Sequence, residues 1–305
     1  EILKSSLVTD PDFNDLLISY FPTHLQENYK EYILTHYLRK EIIANQLANL
    51  VVNRAGMTFI SRFTDEFSAP LPAIIKSWWI AYNLLDAQRL YAQVETLDNK
   101  IDAEIQLRLY VGIEKAVERL CRWILRYVKD LTSASAIISK YKGHVTALEK
   151  HMGQLIKSEE YPDVHEEERL YLANNVPTEL ATVISRQGYL PQVMDIVWLA
   201  LEHNLDYDLV ARNYFIAGRL LQVDWMRKNV LLLSRGNKWQ ALARSALLAD
   251  IFKLYRSTML SAINTTNGDT LAWMEANQDK INKVKAILEE LQSYKVLDLA
   301  MLSAA

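Results

Sequence analysis

Two histidine–glutamate pairs with a spacing of three residues are the first candidates for chemistry in this sequence. His24 precedes Glu27, and His165 precedes Glu168, so each pair would share one helix face. Imidazole and carboxylate groups are ligands for divalent metals. The order is nevertheless the reverse of the Glu-x-x-His signature of di-iron helical bundles, and no His-Glu-x-x-His zinc helix occurs. The spacing therefore favours solvated surface pairs over metal sites.

The other reactive side chains also favour structural roles. Cys121 stands between Leu120 and Ile124, which predicts core packing rather than a nucleophile. His144 and His151 lie two helical turns apart, and we interpret them as another surface pair. No residue of this group has a base and an orienting partner at the spacing that nucleophilic catalysis needs.

The acidic segment SEEYPDVHEEE, residues 158–168, could bind a divalent cation, but such a run is more typical of a linker or of a first helical turn. The eight glycines are too far apart for a dinucleotide fingerprint or a phosphate loop. The sequence thus contains no recognisable active site.

Composition limits the class of protein. The chain has 305 residues, half of them apolar and 23% charged, with a net charge of −3. This near balance argues against nucleic acid or a membrane surface as the main partner. A single cysteine excludes an internal disulfide and indicates a reducing, cytoplasmic setting. No apolar run could span a bilayer, and the first residue, Glu1, suggests a fragment of a longer polypeptide.

Helix signals recur along the whole chain, whereas no alternating strand pattern exceeds four residues. Glycine and proline are scarce, at eight and seven residues, which favours helix throughout. The main predicted helices are 10–21, 22–36, 38–54, one from about 68, 86–99, 102–129, 238–263 and 269–299, with four shorter ones between 177 and 234. The prediction is an all-α fold of two stacked multi-helix bundles without a sheet, 1–130 and 131–305.

The predicted helix 38–54 has one polar side, and that side is unusual because it consists of asparagines rather than of charged residues. Its core face consists of Ile43, Leu47, Leu50 and Val51. The opposite side carries Asn45, Asn49 and Asn53, flanked by aliphatic residues. Because an amide can both donate and accept hydrogen bonds, this pattern favours a second contact over a solvated face, which is the alternative. We predict a docking face formed by Asn45, Asn49, Asn53 and Arg54.

The predicted helix 102–129 is also two-sided. Its apolar face consists of Ile113, Val117, Leu120, Ile124 and Val128. A narrow basic stripe lies opposite and consists of Lys115, Arg119, Arg122, Arg126 and Lys129. The stripe could contact an anion or a partner. The alternative is a solvated face whose charge is relieved by Glu114 and Glu118.

Three segments resemble the very large bacterial NAD-specific glutamate dehydrogenases. LRKEIIANQLANLVVNRAGMTF resembles a stretch just after the catalytic domain of that family. The matching positions are Leu38, Arg39, Glu41, Ile42, Ile43, Asn49, Asn53, Arg54, Gly56 and Phe59. LDNKI…QLRLY…RLCRWILR and DWMRKNV…KWQALARSALLAD resemble later stretches in the same order. Tyr37 and Lys40 depart from the family pattern of proline and arginine.

The resemblance implies a parent enzyme that oxidises L-glutamate to 2-oxoglutarate and ammonium with NAD. It places the nucleotide-binding fold and the catalytic residues in the preceding domain. This segment is then expected to be non-catalytic, to bind no cofactor and to support oligomer assembly or regulation. The expected partners are the catalytic domain of its own chain and further copies of it. A free-standing helical adaptor is the alternative, and a helical-bundle enzyme is disfavoured because no metal or nucleophile constellation is present.

Overall fold

The computed structural model describes residues 1–155, 162–234, 236–266 and 269–304, and within these ranges the chain forms helices and turns without a β-strand. The all-α prediction is therefore confirmed. The chain divides into two compact units, Glu1–Met194 and Asp195–Ala305. The domain boundary predicted after residue 130 stays a prediction, although the helix that follows it belongs to the first unit. No described helix is both long and apolar enough to cross a bilayer.

The first unit begins with three short 3₁₀ turns, Ile2–Lys4, Ser6–Thr9 and Pro11–Phe13. Its helices are α1 Asn14–Ser19, α2 Thr23–Asn28, α3 Lys30–Leu34, α4 Arg39–Ala55, α5 Phe59–Phe67, α6 Leu71–Leu84, α7 Ala87–Glu95, α8 Ala103–Tyr127, α9 Ala134–Leu155, α10 Pro162–Ala173 and α11 Thr178–Arg186. Another 3₁₀ turn, Gln187–Tyr189, leads into α12 Leu190–His203, within which the division between the units falls.

Helix α6 is at the centre of the first unit and packs against α8 and α9. It is buried on nearly every side, so even Lys76 lies inside. The Lys76 ammonium group pairs with Asp10 and donates to the Thr132 carbonyl over 2.7 Å. The next acidic residue, Asp12, accepts from the Ala134 backbone N–H at the start of α9. Two carboxylates from the N-terminal turns thus hold α6 and α9 in place.

Local signals explain where the helices begin and end. The Asp102 side chain accepts from the Glu104 N–H over 2.8 Å and caps α8. Helix α4 ends at Gly56, whose φ of +81° lies in a region that other residues rarely adopt. The predicted helix 22–36 is wrong in its length, because Tyr29 with φ −132° divides it into α2 and α3. The sequence also missed α5.

The helices of the second unit, after α12, are α13 Tyr207–Leu220, α14 Val223–Leu232, α15 Lys238–Thr266, α16 Thr270–Ala276, α17 Gln278–Ser293 and α18 Leu299–Ala304. The long α15 packs against α13, α14, α16 and α18. The predicted helix 269–299 is wrong as one element, because the chain leaves helical geometry at Asn277 and again at Tyr294.

A buried polar network ties the helices of the second unit together. The Tyr214 hydroxyl donates to Asp195 over 2.7 Å, and the Arg256 guanidinium donates to the same carboxylate over 2.8 Å. The Tyr255 hydroxyl donates to the Tyr214 carbonyl. Because each buried polar group finds a partner, the network fixes α13 and α15 relative to Asp195.

Candidate functional site

The histidine–glutamate pairs do not assemble into a metal site in the described part of the chain. His24 Nδ1 lies 3.2 Å from Asn28 Nδ2, and His165 Nδ1 lies 3.9 Å from a Glu168 oxygen. Glu168 also accepts from the Thr182 hydroxyl over 2.5 Å. Among the described residues no three His, Cys, Asp or Glu side chains converge on a common point. The side chain of His151 and residues 158–161 of the acidic segment lie outside the described residues.

Cys121 lies in the core of the first unit and is fully buried. Its Sγ atom is 3.9 Å from the Ile74 carbonyl oxygen on α6. Burial raises the pKa of the thiol well above its usual value. Only the thiolate is a good nucleophile, and the raised pKa disfavours it. Because the side chain is also fully buried, Cys121 packs between α6 and α8 and does not react with a substrate.

The three asparagines lie on the exposed side of α4, as their spacing predicts. Ile43 and Leu47 on the other side are fully buried, and Leu50, which the sequence placed on the core face, is half-buried. We call Asn45, Asn49, Val52 and Asn53 the outer face of α4; all four side chains are exposed. The Asn49 amide donates weakly to Asn45 Oδ1 over 3.4 Å, so their contact leaves hydrogen-bonding capacity unused.

Arg54, which the sequence grouped with the asparagines, faces another helix. Its guanidinium group bonds a Glu95 oxygen over 3.2 Å and lies 4.1 Å from the centre of the Tyr91 ring. Both partners are on α7, so Arg54 joins α4 to α7 within the first unit. Its role in a docking face stays a prediction.

A row of aromatic rings leads to the start of α4. Tyr20 contacts Phe21 with ring centres 5.4 Å apart, Phe21 contacts His36 at 5.6 Å, and His36 contacts Tyr37 at 4.8 Å. Tyr20 is 54% exposed and Tyr37 is 84% exposed. Large exposed tyrosines are typical of protein interfaces. The sequence reasoning missed this row, although the density of tyrosines between α1 and α4 is a visible signal.

Two members of the basic stripe of α8, Arg122 and Arg126, pair with carboxylates of their own chain. Arg122 Nε lies 3.0 Å from a Glu66 oxygen, and Arg122 Nη1 lies 3.2 Å from a Glu118 oxygen. Arg126 approaches Glu66 at 3.6 Å, and Arg62 pairs with Glu118. We call these five residues the Arg122 network. It joins α5 to α8 with three cations and two anions.

The charges of the network shift its pKa values. Burial alone would raise the pKa of the Glu118 carboxyl group, but the hydrogen bonds and charges of Arg62 and Arg122 hold it below its usual value. Burial would likewise lower the pKa of Arg122, and the carboxylates of Glu66 and Glu118 raise it instead. Burial followed by the nearby charge of Glu118 raises the pKa of Glu114. The charged forms of Glu118 and Arg122 therefore stabilise each other.

Helix α5 supplies the part of this network that the sequence reasoning missed. Phe63 and Phe67 lie under the guanidinium groups of Arg122 and Arg126, at 4.6 and 5.3 Å from ring centre to Cζ. Phe59, Phe63 and Phe67 recur every four residues, which is a helical signal that could have revealed α5. Lys115 and Lys129 remain exposed at the two ends of the stripe.

Arg119, the remaining member of the stripe, lies beside the turn after α11. A Cβ atom on Gly188 would be 3.7 Å from its Nη1 atom. A partner contact through the stripe stays a prediction, and Lys115 and Lys129 are its exposed members.

The sequence as a whole is similar to one group of proteins. The model of a family described as glutamate dehydrogenase, C-terminal, matches residues 1–305. NAD-specific glutamate dehydrogenase of Pseudomonas aeruginosa is 26% identical over 313 residues, which cover 100% of this chain and 19% of that protein. Those of Halomonas elongata and Mycobacterium tuberculosis are each 24% identical, over 96% and 100% of this chain. The chain spans 18% and 19% of their lengths.

Proposed function

Since the chain belongs to the family of glutamate dehydrogenase C-terminal regions, we propose that it is the non-catalytic helical part of an NAD-dependent glutamate dehydrogenase. The parent enzyme converts L-glutamate, NAD and water into 2-oxoglutarate, ammonium and NADH. NAD binds to another part of that enzyme, and this chain supports the assembly or control of the whole. The full-length match to a C-terminal family, at about a fifth of each relative's length, is the observation that carries the proposal.

The residues of this chain support a role in binding rather than in chemistry. Its one cysteine is buried, His24 contacts Asn28, and His165 contacts Glu168, each on its own helix. The single cysteine also fits a reducing cytoplasm, where we place the parent enzyme.

The outer face of α4 is the surface through which we propose that the chain docks on the catalytic domain of its own polypeptide. Amides and Val52 are exposed there, and none of its four side chains carries a charge. Charged residues are depleted at the centres of protein interfaces. Amide side chains suit such centres because each can donate and accept hydrogen bonds. Tyr37 and Leu38, just before the start of α4, are also exposed. Homo-oligomers of the parent would present several copies of the same face.

The test compares the full-length enzyme with a variant in which Asn45 and Asn49 are both replaced by lysine. Burying two unpaired charges at an interface is costly, so we expect the variant to lose assembly and glutamate-dependent NADH production. The matched control is Asn282→Lys on the exposed side of α17. Sedimentation and NADH absorbance give the two readouts.

Three results would overturn parts of the proposal. Normal assembly together with normal NADH production by the double-lysine enzyme would contradict docking through the outer face of α4. NADH production or micromolar NAD binding by this chain alone would contradict the non-catalytic role. Full activity and normal assembly of the parent polypeptide without these residues would contradict the role in assembly or control.

A further inference from the structure

A cavity of about 290 Å³ lies in the second unit, between the end of α13 and helices α15, α16 and α17. Trp273 and Ile281 line it, and both pack with Ala262 into a buried apolar cluster. Trp273 is further fixed because its Nε1–H donates to the Ser261 hydroxyl over 3.2 Å. The floor of the cavity is therefore held by packing and by a hydrogen bond.

Five of the residues that line the cavity are aliphatic: Leu220, Leu221, Leu254, Ile281 and Val284. At roughly 30 Å³ for each water-sized group, the volume holds a ligand of about ten non-hydrogen atoms. This is the lower end of the usual range for small-molecule sites. The apolar part of such a ligand would displace water from these aliphatic side chains, which interact only weakly with water.

The polar groups of the cavity are suited to an anion. Lys280 is the one charged residue in its lining, and the structure records no ion pair for it among the described residues. Ser261 also lines the cavity; its oxygen accepts from Trp273, so its own hydrogen can be donated to a ligand. An ammonium group and a hydroxyl donor match the two oxygens of a carboxylate.

We propose that this cavity binds a small aliphatic carboxylate, with its chain against the leucines and its head group at Lys280 and Ser261. An amino acid fits less well, because no acidic side chain lines the cavity to receive its ammonium group. A phosphate ester fits less well too, because one cation neutralises only part of its charge. The proposal is independent of the function proposed above for the chain as a whole.

Calorimetric titration of this chain with octanoate, which has ten non-hydrogen atoms, tests the proposal. We expect one octanoate per chain, with octanol and acetate each binding at least about tenfold more weakly. Lys280→Gln should weaken octanoate binding by about tenfold or more, because the charge-assisted bond is lost. Lys283→Gln, on the exposed side of the same helix and outside the cavity, is the matched control and should leave it unchanged.

A second variant checks that binding occurs inside the cavity. Val284→Phe should block octanoate by filling the space, and circular dichroism checks that the variant is folded. Octanoate binding that survives both Lys280→Gln and a folded Val284→Phe would place the ligand elsewhere and overturn the proposal. Equal binding of octanol and octanoate would overturn the role of Lys280, and so would the absence of saturable binding at millimolar octanoate.

Discussion

Arg122 on α8 and Glu66 on α5 form an ion pair with Nε and Oε2 3.0 Å apart, although 56 residues separate them in sequence. The central cation of the basic stripe is therefore bound within its own chain. Glu118, one turn before Arg122, holds the same guanidinium group from the other side. The ion pair holds α5 against α8, so Arg122 contributes to the packing of the first unit.

We expect Arg122→Gln to lower the free energy of unfolding by about 3 kcal/mol, because it leaves Glu66 and Glu118 partly buried without their shared cation. Urea denaturation followed by circular dichroism measures the change. Lys115→Gln on the same helix is the control, and it should stay within about 0.5 kcal/mol of the unchanged chain because Lys115 is exposed. Equal effects of the two substitutions would show that the ion pair contributes nothing.

The lowered pKa of Glu118 predicts a specific loss of stability in acid. Its charged form is favoured in the folded state, so this stabilisation is complete above the usual carboxyl pKa of about 4.5 and disappears as the pH falls through the lowered pKa. Glu118→Gln should therefore be less stable than the unchanged chain at pH 7. The difference should shrink as the pH is lowered below about 4.

Urea denaturation over a series of pH values measures this effect, with Glu104→Gln as its control. Glu104 is on the same helix but exposed, where its ion pair with Arg108 adds little. A gap between Glu118→Gln and the unchanged chain that stays constant down to about pH 3 would contradict the assignment.

Replacing Asn45, Asn49 and Asn53 by alanine separates a docking face from a solvated one. Each change raises helix propensity by up to about 0.7 kcal/mol, so this chain alone should become more stable. In the full-length enzyme the same change should be destabilising, because each buried partner left without an amide costs about 1–3 kcal/mol. Thermal unfolding of both proteins measures the two signs. Parallel shifts would mean that water, and no protein surface, covers these asparagines.

The close packing of α13 on α15 requires a glycine at position 218. A Cβ atom there would lie 2.5 Å from the buried Tyr255 hydroxyl oxygen. We expect Gly218→Ala to lower the free energy of unfolding by about 1–3 kcal/mol, although alanine has the better helix propensity. Gly143→Ala on α9 is the matched control, because no atom lies within 4 Å of the added Cβ. This substitution should raise the free energy of unfolding by about 0.5–1 kcal/mol.

Thermal unfolding ranks these two glycine variants. Adding Tyr255→Phe to Gly218→Ala removes the oxygen that collides and should recover part of the loss. If Gly218→Ala were as stable as Gly143→Ala, the packing of α13 against Tyr255 would be looser than the structure shows.

Interactions between residues close in sequence, such as helix caps and the spacing of apolar residues, made much of the fold predictable. The helix predicted at 102–129 is found as α8, Ala103–Tyr127, because an aspartate cap and a repeating apolar face both act within a few residues. The same reasoning placed α4 and put its asparagines on the side away from the core. The predicted helix 269–299 failed at Asn277, whose φ of −118° lies outside helical geometry, and periodicity alone does not show such a break.

Only the tertiary structure decided what each helix face contacts. Periodicity defined the basic stripe of α8, but the partners of Arg122 come from a helix 56 residues earlier, and packing alone brings that helix alongside. The pairing of Arg54 with Glu95 on α7 likewise could not be read from the sequence, because the two residues are 41 positions apart. The cavity beside Lys280 needs three helices and the end of a fourth at a fixed distance. A sequence pattern determines which side of a helix is polar, whereas the neighbour on that side depends on how the whole core packs.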